Sequence, residues 1–190
     1  ATIRTNSRGW TKGNPDLKPR RELEHTLRLS CTADRWQIFA EGMCRQCLKP
    51  NMALYERTAD DLFVYTQINQ KEIDLLHTMV YTSFWAIPKK LQISMYGGMM
   101  RCFNFGYEYT HCHTSFFYAE SVTAYLGALT LQAGGDSGSR FLEGEAKGFN
   151  GGYTFLQASY RLKDWRFMAT WSNPFCNNYK SYETEILNRY

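Results

Sequence analysis

Apolar and polar residues alternate along this chain with a period of two, and the alternation changes parity across short polar turns. Between Glu22 and Cys31 the odd-numbered positions are mostly apolar and the even-numbered positions are polar. After Ala33-Asp34 the apolar positions become even-numbered: Trp36, Ile38, Ala40 and Cys44, with Phe39 and Met43 as exceptions on the polar side. A period of two is typical of a β-strand with one apolar face, because successive side chains point to opposite sides.

Three tight hairpins follow from this pattern. We predict two-residue turns at Ala33-Asp34, Leu126-Gly127 and Lys163-Asp164. These turns pair residues of like polarity, for example Leu29 with Ile38, Val122 with Leu131, Tyr160 with Phe167 and Arg161 with Arg166. Since a register slip of one residue would exchange the two faces, the agreement among the three hairpins favours one common apolar face.

Longer strands and longer connections fill the rest of the chain. We predict a long strand from Leu62 to Ile87, a turn at Pro88, and a strand containing Leu91, Ile93, Met95 and Met99. The stretch from Gly134 to Gly152 is rich in glycine and polar residues, which predicts a long loop. Short turns on one side and long loops on the other are typical of outer-membrane β-barrels.

Three aromatic residues beside the predicted tight turns, Trp36, Tyr125 and Trp165, occupy the place of an interfacial aromatic girdle. A soluble β-sandwich or a small ligand-binding barrel also alternates apolar and polar residues, so the periodicity alone leaves both classes open.

Composition excludes other classes. Aromatic residues make up 16% of the chain, which favours strands. The net charge of +4 is spread along the chain without a block of Lys and Arg, so nucleic acid is not an expected partner. No apolar run approaches the roughly 20 residues that a membrane-spanning helix needs. Because residues 1–5 do not resemble a secretion signal, we expect any such signal to lie outside this sequence.

One segment resembles a family signature. It comprises Gly13, Asn14, Pro15, Asp16, Leu17, Lys18 and Pro19. It is similar to the G-N-P-x-L-K-P signature of TonB-dependent receptor barrels, where this signature precedes a strand of the barrel. The two prolines fix their own φ and bias the preceding residue towards extended geometry, so the segment predicts a stiff turn that leads into a strand. The order of the following segments, up to Trp171-Ser172-Asn173-Pro174-Phe175, resembles outer-membrane β-barrel proteins of the Bacteroidetes type.

The resemblance implies an all-β fold: an antiparallel transmembrane β-barrel segment, a meander of about eight or nine long strands that is part of a larger barrel. We expect one partial domain over 1–190, with a leading loop at 1–21, strands over 22–175, and a tail or partial strand at 176–190. The implied function is that of a wall segment in nutrient uptake across the bacterial outer membrane. The implied partners are outer-membrane lipid, further barrel strands, a plug domain, TonB and a nutrient; the alternative is a soluble β-sandwich or small barrel that binds a carbohydrate or lipid.

The parity also assigns faces. We predict that the apolar face meets acyl chains and that the polar face lines a lumen through Glu24, Arg28, Gln37, Glu41, Arg161 and Arg166.

No catalytic, cofactor or metal residues are predicted, and an enzyme is the third-ranked interpretation. Cys44 and Cys47 form a C-x-x-C pair but fall on opposite parities, and we interpret His111-Cys112-His113 as a polar loop between strands. Asp60-Asp61, Glu143 and Glu145 fall at predicted turns, where carboxylates are usually solvated. Ser137-Gly138-Ser139 lacks a strand-to-helix elbow, and no Lys-Ser or Lys-Thr follows the glycines of 148–152. Five side chains in predicted loops could contact a ligand or cover the core of their own loop: Tyr107, Tyr109, His111, His113 and Phe149.

Overall fold

A computed structural model describes residues 2–5, 9–60, 62–107, 109–174 and 182–187. Over these residues the chain forms fifteen β-strands and no helix. The strands, numbered along the chain, are β1 (Thr2–Arg4), β2 (Gly9–Lys12), β3 (Arg21–Thr32), β4 (Trp36–Leu48), β5 (Asn51–Arg57), β6 (Phe63–Asn69), β7 (Glu72–Ile87), β8 (Leu91–Phe105), β9 (Thr110–Leu126), β10 (Leu129–Asp136), β11 (Gly138–Glu143), β12 (Ala146–Gly151), β13 (Thr154–Leu162), β14 (Trp165–Ser172) and β15 (Tyr182–Ile186). The described residues contain no helix that is both long and apolar enough to cross a bilayer.

Eight strands form one antiparallel sheet in the order β14-β13-β10-β9-β8-β7-β4-β3. Because each strand runs against its neighbours, four short connections, β3 to β4, β7 to β8, β9 to β10 and β13 to β14, lie at the same end of the strands, which we call the turn edge. At the opposite end, β8 connects to β9 through the four residues 106–109, whereas β4 to β7 and β10 to β13 connect through longer segments that carry further strands. The expected all-β antiparallel meander is therefore confirmed, whereas the sheet stays open, with β3 and β14 at its two margins and no pairing between them.

The register places like residues in rows across the sheet. One row runs Trp36, Phe84, Ile93, Val122, Ala133, Leu156 and Trp171 over seven strands. The neighbouring row, whose side chains point to the other side, includes Gln37, Ser83, Ser94 and Ser121. The sheet thus has an apolar face, which contains the first row, and a polar face, which contains the second.

One of the three predicted hairpins has the predicted register. Leu162 pairs with Trp165 and Tyr160 with Phe167 around Lys163-Asp164. In the other two the predicted turn is wrong by one residue. Leu29 pairs with Ala40, not with Ile38, and Leu131 pairs with Ala124, not with Val122.

The turns of these two hairpins are therefore Asp34-Arg35 and Gly127-Ala128. Gly127 has a φ of +67°, which glycine adopts at little cost, and this favours its place as the first turn residue. Each correction shifts the pairing by two residues, so each side chain keeps its predicted face. The alternation of the sequence cannot distinguish two registers that differ by two.

Three predicted boundaries are wrong. The stretch from Leu62 to Ile87 is two strands, β6 and β7, separated by Gln70 and Lys71. The leading loop 1–21 contains β1 and β2, and the predicted loop from Gly134 to Gly152 contains the end of β10 and the hairpin of β11 and β12. In the segment 176–190, predicted as a tail or partial strand, Tyr182–Ile186 form the short strand β15, which pairs with β12. Residues 176–181 and 188–190 lie outside the described residues.

The smaller sheets lie at the end opposite the turn edge. One has the order β1-β2-β6-β5, in which β2 and β6 are parallel, and the other has the order β11-β12-β15. Most of the buried residues are found here: Cys47, Met52, Ala53, Gln70, Cys102, Asn104, Tyr109, Ser115, Leu142, Glu145 and Ala146. The core of the described protein is therefore small and lies at one end of the large sheet.

Candidate functional site

The apolar face of the large sheet is its main exposed surface. Leu29, Phe116 and Trp165 expose 62%, 75% and 71% of their surface. Other large apolar side chains of this face that are exposed include Leu23, Leu27, Trp36, Ile38, Leu76, Val80, Met95, Tyr118, Val122, Leu126, Leu131, Leu156, Tyr160, Leu162, Phe167 and Trp171. Monomeric soluble proteins rarely expose apolar patches larger than a few hundred Å². A continuous apolar surface over eight strands therefore indicates an interaction surface for protein or membrane.

Burial differs between the two faces along the long strands. In β7, Val80 on the apolar face is 52% exposed, whereas Ser83 on the polar face is 4% exposed. The same alternation holds in β9, where Phe116 and Tyr118 are exposed and Phe117 and Ala119 are half-buried. The polar face is thus the more enclosed side, and in β7 it also carries the half-buried apolar and aromatic side chains of Ile73, Leu75, Met79, Tyr81 and Trp85.

The apolar face has a limited height. In β7 it runs from Leu76 to Phe84 and is followed, away from the turn edge, by Asp74 and Glu72. In β8 it runs from Leu91 to Met99 and ends at Arg101. These spans match the roughly nine to eleven residues that a tilted strand needs to cross a bilayer. One charged residue, the exposed Glu120 beside Met95, interrupts this surface.

Two of the three aromatic residues predicted for a girdle lie on the apolar face. The ring of Trp36 lies 4.4 Å from that of Phe84 in a tilted arrangement, and Trp165 is exposed beside the turn at Lys163-Asp164. Tyr125 was assigned wrongly, because its register partner Thr130 belongs to the polar face. Its hydroxyl donates to Gln92 Oε1 at 3.3 Å.

The polar face carries all six residues that were predicted to line a lumen. Arg28 Nε donates to Glu41 Oε2 at 2.6 Å and forms an ion pair across β3 and β4. Gln92 Nε2 donates to Ser83 Oγ at 2.7 Å. The side chains of this face therefore bond to one another across the strands.

A pocket of about 270 Å³ opens near the far end of this face. Its wall combines aromatic rings with hydroxyl, amide and carboxylate groups: Tyr81, Ser94, Tyr96, Ser121, Gln132, Asp136, Tyr153 and Phe155. Tyr153 and Phe155 stack at 5.7 Å. Gly134 makes room for Phe155, because a Cβ there would lie 3.0 Å from the ring. Sequence reasoning missed this pocket, whose residues are far apart in sequence and meet only through the register.

The hairpin of β11 and β12 folds against the polar face beyond this pocket. Arg140 N donates to Ser115 Oγ at 3.1 Å, and Asn104 Nδ2 donates to Gly144 O at 3.3 Å. The Cys102 thiol donates to Leu142 O at 3.7 Å. Ser115, Asn104 and Cys102 belong to the polar face of β8 and β9, so the hairpin covers that face instead of extending the strands.

Histidine and cysteine residues do not form a reactive or metal site in the described part of the chain. Cys44 is exposed on the apolar face and Cys47 is buried on the polar face, as their parities predicted. The interpretation of His111-Cys112-His113 as a loop is wrong, since these residues belong to β9. Cys102 and His113 are register partners, but the thiol donates to Asn104 Oδ1 at 3.2 Å, and His113 Nε2 is buried without a hydrogen-bond partner. No thiol–imidazole bond is formed that could activate the sulfur.

The predicted loop aromatics separate into two groups. Tyr109 is buried, and its hydroxyl lies 3.3 Å from Met52 Sδ, while His111 stacks on its ring at 4.9 Å. These two residues and His113 therefore pack the small core. Tyr107 is exposed beside Lys71, and Phe149 lies 5.6 Å from the Arg140 guanidinium.

The acidic residues and the serine that were considered as catalytic candidates do not come together in the described residues. Asp60 and Glu143 are exposed and Asp61 lies outside the described residues. Glu145, predicted to be solvated, is only 1% exposed at the hairpin turn. Ser137 Oγ accepts from Tyr118 N at 2.9 Å and donates to Gly138 O, which ties the hairpin to β9.

The small β1-β2-β6-β5 sheet carries a tyrosine pair near this hairpin. The rings of Tyr55 and Tyr65 lie 5.3 Å apart. Burial, with a smaller contribution from Tyr65 and Glu143, raises the pKa of Tyr55 above its usual value. Its hydroxyl therefore stays protonated at neutral pH.

The segment Gly13–Pro19 lies between β2 and β3 against β6. Asn14 Oδ1 accepts from Asp16 N at 3.0 Å, which closes an Asx turn, and Asn14 Nδ2 donates to Gln67 O. Asn69 holds the end of the segment, since its Oδ1 accepts from Lys18 N at 2.7 Å and its Nδ2 donates to Lys18 O at 2.9 Å. The contacts of this segment are structural and involve no catalytic group.

Comparisons with protein families, curated proteins and solved structures found no match to this chain. The arguments about function therefore rest on the geometry of the two faces.

Proposed function

We propose that this chain is a wall segment of an outer-membrane barrel that resembles TonB-dependent receptors and takes part in the uptake of a nutrient. The apolar face meets lipid acyl chains and the polar face lines the interior. The observation that carries this proposal is the exposed apolar surface that crosses the large sheet, on which Leu29, Phe116 and Trp165 are 62%, 75% and 71% exposed. In water a sheet gains stability by burying its apolar side, and here that side is open.

The height of the apolar surface supports the proposal. At about 3.4 Å per residue and a tilt of about 45°, the span from Leu76 to Phe84 rises roughly 20 Å, close to the ~25 Å apolar band of outer-membrane barrels. Asp74, Glu72 and Arg101 lie beyond this span. Charged residues would therefore stand at the level of the lipid headgroups.

The placement of connections supports it as well. Of the five short connections between neighbouring strands of the large sheet, four lie at the turn edge; the fifth, between β8 and β9, lies at the opposite end with the small sheets. Outer-membrane barrels have short periplasmic turns and long outer loops. In this orientation the turn edge is periplasmic, and the hairpin of β11 and β12 is an outer segment folded towards the interior, where the pocket at Tyr81 and Tyr153 would meet a passing solute.

A soluble sandwich is less favoured by these residues. It would cover Leu29, Ile38, Tyr160 and Phe167 with a second layer, and all four side chains are exposed here at 62%, 43%, 46% and 55%. The hairpin of β11 and β12 lies on the polar side, where the hydrogen bonds of Arg140 and Asn104 hold it.

Two tryptophans offer a matched test. Trp36 of β4 is on the apolar face in register with Phe84 of β7. Trp85 follows Phe84 in β7 and points to the polar face. The two indoles thus have nearly equal depth and opposite faces. Two variants, each with one of these as the sole tryptophan and Phe at the other four positions, should be folded into vesicles of lipids brominated along the acyl chains.

We expect the lipid bromines to quench Trp36 strongly and Trp85 weakly, because only the former contacts acyl chains. Equal quenching of the two, or stable monomeric folding of the full chain in water without detergent, would refute the proposal. Non-brominated vesicles serve as the reference for each variant.

A further inference from the structure

A second pocket lies on the polar face at the turn edge. Its volume is about 480 Å³, and it forms where the β9 to β10 turn meets the hairpin of β13 and β14. Its wall consists of Gly127, Ala128, Thr130, Ser159, Arg161, Lys163 and Arg166. Three of these side chains are cationic, two carry hydroxyls, and none is acidic.

The two arginines are direct register partners across β13 and β14. Like charges directly opposite each other in an antiparallel pair are destabilising. Lys163, the first residue of the turn, has a φ of +52° and adds a third positive charge at the same edge. The chain therefore concentrates repulsion at this hairpin.

Arg161, Lys163 and Arg166 form no ion pair in the described residues. The nearest acidic residue in sequence, Asp164, lies exposed in the same turn and does not line the pocket. On the polar face of β10, β13 and β14 the one carboxylate is Asp136, at the far end of β10. The arginine pair thus faces a cavity and not a counter-charge.

The register fixes how these groups converge. Arg161 N donates to Ala128 O at 2.9 Å, which ties the middle of the pocket to the neighbouring turn. Thr130 and Ser159 are register partners one step deeper on the same face. Two guanidinium forks, an ammonium and two hydroxyls therefore line one cavity, and all five groups can donate hydrogen bonds.

We infer that this pocket binds a phosphate group. Guanidinium groups bind phosphate and carboxylate oxygens in a bidentate manner, and an ammonium binds phosphate as a point charge. Phosphate offers more acceptor oxygens than a carboxylate, which suits five donors. A bound dianion would also turn the repulsion between Arg161 and Arg166 into attraction to a shared partner.

Two sources can supply this group, a free phosphate or the headgroup of a phospholipid. The site stands on the charge and shape of the pocket and does not depend on the membrane proposal. Its position at the turn edge makes a headgroup one source to test, because that edge would lie at the lipid–water boundary if the sheet spans a bilayer.

The test is calorimetric titration of the full chain in non-ionic detergent with inorganic phosphate, against chloride at equal ionic strength. We expect saturable binding of phosphate that R161Q and R166Q each weaken by at least about tenfold, as expected for loss of a charged hydrogen bond. The matched control is K90Q, which removes a cation from the β7 to β8 turn at the same edge and should leave binding unchanged.

A second titration uses micelles that contain phosphatidylglycerol. Binding of the doped micelles without binding of free phosphate, again lost in R161Q, assigns the site to a headgroup phosphate and supports the inference. Heat released equally by phosphate and chloride, or equal binding by R161Q and K90Q, overturns it.

Thermal unfolding distinguishes lost binding from lost structure. In buffer without phosphate, R161Q should unfold at a higher temperature than the parent chain because the like-charge contact is relieved. R161K keeps the charge but not the fork, so its phosphate affinity should fall between those of the parent and R161Q. A lower unfolding temperature for R161Q would contradict the claim that the two arginines repel each other.

Discussion

Val80→Arg tests the environment of the apolar face at its centre. Val80 lies midway between Leu76 and Phe84 in β7, four residues from each. At about 3.4 Å per residue and a tilt of about 45°, each limit is roughly 10 Å away along the membrane normal. An arginine side chain at this position is too short to bring its guanidinium group to either boundary of the apolar band. At such a depth an arginine facing lipid costs about 2–4 kcal/mol.

The matched control is Gln37→Arg, on the polar face of the neighbouring β4, where Gln37 is paired with Ser83 and is exposed. There we expect a change within about 0.5 kcal/mol, as for most exposed substitutions. The measurement is the free energy of unfolding by urea in lipid vesicles. A cost of 2–4 kcal/mol corresponds to a roughly thirty- to several-hundred-fold change in the unfolding equilibrium, at about 1.4 kcal/mol per factor of ten.

If Val80→Arg cost no more than Gln37→Arg in vesicles, the assignment of the apolar face to lipid would be wrong.

Three further predictions concern packing, the Gly13–Pro19 segment and the cysteines. Gly98→Ala should destabilise the protein by at least about 2 kcal/mol in chemical unfolding, because the new Cβ would clash with Thr78 O and lie 2.7 Å from Phe117 Cζ, whereas Gly42→Ala has open space and should stay within about 0.5 kcal/mol. Asn69→Ala should cost about 1–3 kcal/mol and expose the segment to proteolysis, since Asn69 bonds Lys18, Lys49 and Asn51; Gln67→Ala, which removes a side-chain bond to Tyr65 only, is the control, and equal protease resistance of the two variants would contradict this role. In vesicles, a membrane-impermeant maleimide should label a single-cysteine variant at Cys112, beyond the apolar span of β9, faster than one at Cys31, which pairs with Ile38 within the apolar face; equal rates would count against the band.

The faces of the sheet could be predicted from the sequence because side-chain direction depends only on parity. The corrected turns at Asp34-Arg35 and Gly127-Ala128 changed the pairing of Leu29 and Leu131 but not their faces. Tyr125 was wrongly assigned to the aromatic girdle because the prediction considered only its position beside a turn; its parity places it on the polar face. The alternation of apolar and polar residues is therefore sufficient to assign each side chain to a face, and a register error of two residues does not change that assignment.

The small core and the pockets could not be predicted in the same way. Glu145 was expected to be solvated at a turn, and it is buried because the hairpin folds back onto the sheet. That contact depends on bonds such as Asn104 Nδ2 to Gly144 O, which join residues 40 positions apart. A strand pattern contains no information on which loop folds inward, so such sites emerge only from the tertiary arrangement.

The two margins of the sheet impose a strong condition on the proposed function. Every residue of β3 and of β14 is exposed, and each of these strands pairs on one side only. In water, solvent satisfies the free N–H and C=O groups of an edge, but in hydrocarbon each unsatisfied group costs several kcal/mol. A spanning sheet must therefore pair both margins with further strands, from the same polypeptide or from another chain. Backbone amide exchange in vesicles measures this directly. If the sheet spans a bilayer, we expect the amides of β3 and β14 that point away from β4 and β13 to be as protected as the amides of β8. Rapid exchange of these outward-pointing amides with the chain membrane-bound would argue that the sheet lies on the surface instead.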